Sequence, residues 1–174
     1  RKLFMKIGIL GSGAVGKALA FGFTAEGHET MLGTRDPKAA KITEWLSGNG
    51  KGVKAGTFEQ TAAYGEMIIL CPLYRAIDDV IELAGKKNFE GKIVIDTTNP
   101  IAEEPPVNGV LKYVKTVEGS AGEHIQSLLP NAHVVKAFNS IGSAYMYKPK
   151  FEGGQPTMFI CGNNEESKRS VTDI

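Results

Sequence analysis

The segment Gly11-Ser12-Gly13-Ala14-Val15-Gly16 constrains this chain more than any other. It directly follows the apolar run Lys6-Ile7-Gly8-Ile9-Leu10. It opens a stretch, about Ala14 to Glu26, in which Val15, Leu19 and Phe23 recur at helical spacing. Alone, G-x-G-x-x-G is a weak signal; between a strand and a helix it is the phosphate turn of a doubly wound sheet. Each glycine then has a task. Gly11 makes the tight turn, Gly13 lets the backbone approach a pyrophosphate, and Gly16 lets the helix pack on the strand. The free N–H groups and the positive end of the helix dipole face the phosphates. A dinucleotide ligand is therefore expected at Gly11, Ser12, Gly13, Ala14, Val15 and Gly16.

The remaining chain alternates in the same way. Strands are expected at Glu29 to Gly33, Val53 to Ala55, Glu66 to Cys71, Lys92 to Asp96, Val134 to Phe138 and Thr157 to Cys161. The intervening helices begin at Asp36-Pro37, Thr57, about Arg75 and Ser120, and a last one begins at Asn163 or Asn164. Asp36 is read as the N-cap of its helix, with Pro37 in the first turn. Residues 99–118 form a long connection containing proline. This alternation predicts a Rossmann-type α/β fold of three layers, a parallel sheet in the order 3-2-1-4-5-6 with a further strand from Thr157. Residues 5–174 read as one domain whose last helix is still running at Ile174, and residues 1–4 as an extension ahead of Met5.

With 20 basic and 19 acidic residues the formal net charge is +1, which gives no electrostatic reason for nucleic acid or an anionic membrane surface. No apolar run approaches the roughly 18 residues that a membrane span needs. Cys71 and Cys161, the two cysteines, lie in apolar runs without metal-ligand spacing. They read as two buried thiols of a cytoplasmic protein.

The end of the second strand bears on which dinucleotide binds. NAD-selective sites place a carboxylate there, about 20 residues after the turn, to hold the ribose hydroxyls. Here that place reads Leu32-Gly33-Thr34-Arg35. Arg35 suits a 2′-phosphate, Thr34 can donate to it, and Lys38 can add charge. NADP(H) is the expected cofactor.

These residues, with Ile95-Asp96-Thr97-Thr98-Asn99-Pro100, Val134-Val135-Lys136-Ala137-Phe138-Asn139-Ser140-Ile141 and Cys161-Gly162, carry a family resemblance over nearly the whole chain. The sequence resembles the NADP-dependent oxidoreductases of the deazaflavin coenzyme F420. It is similar also to the oxidoreductase domain of the STEAP metalloreductases, whose asparagine it shares at Asn139. The resemblance implies a hydride transferred between NADPH and a flavin or deazaflavin, a small-molecule redox partner, and in many relatives a homodimer.

Ligands of a doubly wound sheet lie beyond the carboxyl ends of its strands. Cys71, Pro72 and Leu73 are expected along the middle of the cofactor, with Tyr74 covering it. Asn99, Ala137 and Asn139 are expected near the nicotinamide, and Asn139 and Thr97 are the candidates for positioning the reacting rings. Lys136 reads as a structural lysine reaching the surface, and Asp96 as a group that orients its turn. His28 and His133 fall at the wrong end of the sheet and His124 falls inside a helix, so no histidine reads as a general acid. Hydride transfer to a flavin-type ring fits such a site, because the cofactors carry the chemistry. Two other readings remain: an imine or hydroxyacid reductase resembling pyrroline-5-carboxylate reductase, and an NADPH-sensing domain without turnover.

Overall fold

A computed structural model describes residues 4–114 and 119–174. The elements in chain order are β1 (Lys6–Leu10), α1 (Ala14–Ala25), β2 (Glu29–Gly33), α2 (Ala40–Ser47), β3 (Lys54–Gly56) and α3 (Phe58–Tyr64). They continue with β4 (Met67–Leu70), α4 (Ile77–Ala84), β5 (Ile93–Asp96), α5 (Ala121–Leu128), β6 (His133–Lys136) and α6 (Glu165–Asp173). The strands form one parallel sheet in the order β3-β2-β1-β4-β5-β6. This is the Rossmann-type order expected from the glycine turn.

Strand alternation sends side chains to two cores. Ile7, Ile9, Met67, Ile69, Ile95 and Val135 face Leu19 and Phe23 of α1 and Val171 of α6. Leu10, Ile68, Leu70 and Val94 face Phe58 of α3, Ile77 and Ile81 of α4, and Ile125 of α5. All four residues of β4 are buried because helices cover both faces of the sheet. Two helices open on capping boxes, Thr57 with Gln60 and Ser120 with Glu123, each satisfying two otherwise orphaned backbone donors.

The register sets where chemistry can occur. Gly33 pairs with Leu10, Leu10 with Leu70, Leu70 with Asp96, and Asp96 with Lys136. One straight row of strand ends therefore crosses the sheet. The residues just beyond it (Thr34, Gly11, Cys71, Thr97 and Ala137) share one edge.

Four expectations need correction. Asp36 does not cap α2. Its Oδ1 accepts from Lys38 N at 2.9 Å, and Ala39 N donates to Asp36 O at 3.3 Å, so Asp36-Pro37 closes a separate turn. Ala39 then adopts ψ 138°, and the helix starts only at Ala40. Lys38 thus lies in a turn, not in the helix. The expected strand from Thr157 is one antiparallel bridge, Cys161 with Lys136. Phe159 is 68% exposed, so no buried face holds that segment in a ladder. Val53 precedes β3 rather than starting it. Cys161 is exposed and Cys71 only half-buried, so the pair of fully buried thiols is not formed.

Candidate functional site

The glycine turn lies at the shared edge. Gly11 has φ +124°, a conformation that penalises any Cβ. Its N–H donates to Gly33 O at 3.0 Å, and an added Cβ would lie 2.8 Å from the Cys71 backbone. A Cβ on Gly16 would enter the van der Waals shell of the Gly11 carbonyl oxygen, so α1 reaches its closest approach to the strand only with glycine there. Gly13 differs, since nothing lies within 4 Å of its notional Cβ. That space opens at the N-terminus of α1, which has no side-chain cap. The first N–H groups of a helix have no intrahelical acceptor. A pyrophosphate fits this cradle, and a methyl group on Gly13 would fill part of it.

Ser12 Oγ lies 3.3 Å from Thr34 Oγ1, tying the turn to the end of β2, and Thr34 N donates to Gly56 O at 3.0 Å. Thr34 is buried, whereas Arg35 and Lys38 are exposed at the rim. Among the described residues neither cation has an ion-pair partner. The arrangement leaves two positive charges beside the end of β2, where a ribose phosphate is expected.

At the end of β4, Cys71 N donates to Leu10 O at 2.8 Å. Burial pushes the Cys71 thiol up to about 12, against a weaker lowering by the hydrogen bond with Thr97. Such a thiol stays protonated and is not a nucleophile. Leu73 is 66% exposed and offers a bare apolar surface at the edge.

The ends of β5 and β6 are joined by a buried ion pair. Asp96 is fully buried; its Oδ1 accepts from Thr98 N at 2.8 Å and from Thr98 Oγ1 at 2.7 Å. Its Oδ2 meets Lys136 Nζ at 2.8 Å, and the same ammonium donates to Thr98 O at 2.5 Å. Asp96 thus orients its turn. Lys136, however, does not reach for the surface, as its side chain is only 15% exposed and turned inward to the carboxylate. Thr97 also departs from expectation. Its hydroxyl donates to Leu70 O at 2.8 Å, so its hydrogen holds β5 to β4 and is not presented to a ring.

Asn99 and Asn139 come together. Asn99 Nδ2 donates to Asn139 O at 2.8 Å, and Asn139 Nδ2 lies 3.3 Å from Asn99 Oδ1. Between β6 and Asn139, Phe138 has φ +63°. Such a conformation costs a non-glycine residue about 1–3 kcal/mol. The Phe138 ring sits edge-on to Phe23 with centroids 6.5 Å apart, packing that helps to hold the reversal. Ala137 is buried beside it and also borders an apolar cavity of about 350 Å³ between α1, β6 and α6. No other expected site residue lines that cavity.

One group was not expected. Tyr74 turns toward α5, with its hydroxyl 2.8 Å from His124 Nδ1, and His124 Nε2 lies 3.4 Å from Asp78 Oδ1. The sequence held a signal for this. Helices of a parallel sheet start at its carboxyl edge, and His124 is in the first turn of α5. His124 lies inside a helix, as expected, but near the N-terminal end of that helix.

Residues 6–100 match the family model described as NADP oxidoreductase coenzyme F420-dependent. The rat metalloreductase STEAP3 is 30% identical over 97% of this chain, which spans 31% of that protein. An F420-dependent NADP reductase of Methanothermobacter thermautotrophicus is 29% identical over 82% of this chain, which spans 64% of that protein. Among solved structures, an Arthrobacter sp. FB24 protein assigned as an F420-dependent NADP-reductase superposes with a TM-score of 0.87 at 31% identity. That likeness covers 97% of this chain and 78% of the Arthrobacter chain. The chain thus spans about a third of the rat relative and just under two thirds of the archaeal one. The matched residues include the glycine turn, the Thr34-Arg35 strand end and Asp96 to Asn99, and the chain belongs to the family of coenzyme F420-dependent NADP oxidoreductases.

Proposed function

We propose that residues 5–174 form an NADP(H)-binding domain that passes a hydride between NADPH and a flavin or deazaflavin acceptor. The observation that carries this reading is the cradle at Gly13, open at the N-terminus of α1 and flanked by Thr34 and Arg35. In it the N–H groups of Ala14, Val15 and Gly16 hold the pyrophosphate, while Ser12, Thr34, Arg35 and Lys38 surround the 2′-phosphate. Cys71, Pro72 and Leu73 support the middle of the cofactor, and the paired Asn99 and Asn139 fix the nicotinamide end. When bound, NADPH supplies the hydride. The protein contributes orientation and exclusion of water, and a small-molecule acceptor stacks against the exposed ring. That acceptor is the F420-type deazaflavin or a flavin, in keeping with the names of the relatives.

Arg35→Ala weakens NADPH binding by about 1.5–3 kcal/mol, the worth of a charge-assisted hydrogen bond. NADH binding stays unchanged, since NADH has no 2′-phosphate. Calorimetric titration of both nucleotides checks this, and equal losses for the two remove Arg35 from the phosphate site. The acceptor is tested by following the loss of nicotinamide absorbance with a 5-deazaflavin, FMN, an imine and a keto acid. Oxidation with the deazaflavin or FMN supports the reading, and oxidation only with the imine or keto acid overturns it.

A further inference from the structure

We propose that Tyr74, His124 and Asp78 form a proton-delivery chain for the acceptor, an inference that rests on the flavin or deazaflavin reading above. The hydride itself needs no acid from the protein, but it leaves such a ring as an anion. The C–H bond of the nicotinamide breaks and its electron pair goes to the ring with one hydrogen. A proton delivered to a ring nitrogen restores neutrality. Within the expected site, Asn99 and Asn139 cannot supply it, the Thr97 hydrogen is engaged by Leu70 O, and Lys136 is held by Asp96. The half-buried Cys71 keeps its proton, because desolvation raises its thiol.

Tyr74 is placed to do so. It lies beyond the β4 end, after Cys71, Pro72 and Leu73, is half-buried, and its hydroxyl meets His124 Nδ1 at 2.8 Å. The two rings pack edge-on, with centroids 5.8 Å apart and planes inclined at 70°. Burial and the charges of Asp78 and Asp96 raise the Tyr74 pKa, so the phenol stays protonated until a base takes its proton. With imidazolium at His124, Nδ1–H donates to the Tyr74 oxygen and frees the phenol hydrogen for the acceptor. The phenol O–H bond then breaks as an N–H bond forms on the ring. Tyr74 regains a proton from Nδ1, and His124 is left neutral. His124 keeps its hydrogen on Nε2, which lies 3.4 Å from Asp78 Oδ1, and with its side chain 34% exposed the vacated Nδ1 takes its next proton from water after the acceptor leaves. Other charges nearby are already engaged. Arg75 in the turn before α4 pairs with Glu103, Glu123 of α5 closes the helix cap at Ser120, and Asp96 of β5 pairs with Lys136.

The test uses Tyr74→Phe and His124→Gln with NADPH and either 5-deazariboflavin or FMN, between about pH 5 and 9, the range that brackets histidine titration. Expected is a kcat at saturating NADPH lowered about 10²-fold, the lower range for general acid catalysis. The wild-type rate falls with rising pH, and this alkaline limb is missing in His124→Gln. In the protein without nicotinamide, the His124 ring resonances move when 5-deazariboflavin is added to wild type and stay still in Tyr74→Phe. Unchanged kcat and pH profile in both variants overturn the proposal. So does a fall in melting temperature alone, which is what a mere tie between α4 and α5 would give. A wild-type protein that binds NADPH yet reduces neither acceptor overturns the acceptor reading itself, and with it this chain. That outcome is recognised because it appears before any substitution.

Discussion

Gly13→Ala is expected to lower NADP(H) affinity by at least about 10²-fold, equivalent to about 2.7 kcal/mol, in a protein that still folds. The backbone at Gly13 has φ −77° and ψ −169°, which alanine adopts without strain, and its notional Cβ meets no atom of the protein. The cost to folding is therefore about 1 kcal/mol at most, the difference between glycine and alanine at an N-cap. The whole effect falls on whatever occupies the space in front of the helix. Gly16→Ala gives the contrasting result. There the new methyl group meets the Gly11 carbonyl, which cannot move without opening the turn. A loss of about 3 kcal/mol, the upper end of ordinary overpacking, lowers the melting temperature by roughly 6–12 °C. Calorimetric titration with NADP+ and thermal unfolding of the two variants separate binding from folding. A Gly13→Ala protein with wild-type affinity removes the pyrophosphate from this turn.

Lys136→Met carries the second large effect. Removing one partner of a buried ion pair leaves the other charge uncompensated, at about 3–5 kcal/mol. Asp96 is fully buried and would keep only its two bonds from Thr98. A lysine reaching for solvent would instead cost within about 0.5 kcal/mol when replaced. Urea unfolding decides between the two. The double variant Lys136→Met with Asp96→Asn recovers part of the loss, since no buried charge then remains. A single variant as stable as wild type removes the ion pair from the account of stability. The pair also holds Thr98, and through it the segment leading to Asn99, so catalysis falls together with stability.

What the sequence made legible was local in origin. The glycine turn, the apolar strands and the capping residues Thr57 and Ser120 are each specified by near neighbours in the chain. The sheet order follows from the turn and the alternation of strands and helices. Asp36-Pro37 misled because an aspartate serves a turn as well as a helix, and only the ψ of Ala39 decides between them. Thr157 to Cys161 has strand composition, but a strand needs a neighbour along its length and a covered face. It finds one bridge and remains open. Lys136 and Thr97 were misread because their partners are 40 and 27 residues away in the chain. Tyr74 and His124 are 50 residues apart, and they meet only because α4 and α5 start at the same edge. The glycine turn was thus readable as a motif, whereas the contacts of Lys136, Thr97 and Tyr74 depend on how distant strand ends align.

Selection of NADP(H) is assigned to the open cradle at Gly13, with Thr34 and Arg35 beside it. It is tested most directly by titrating the wild-type protein with NADPH and with NADH under the same conditions. NADPH is expected to bind tighter by at least about tenfold, a difference of about 1.4 kcal/mol. Equal affinity, or tighter binding of NADH, contradicts it.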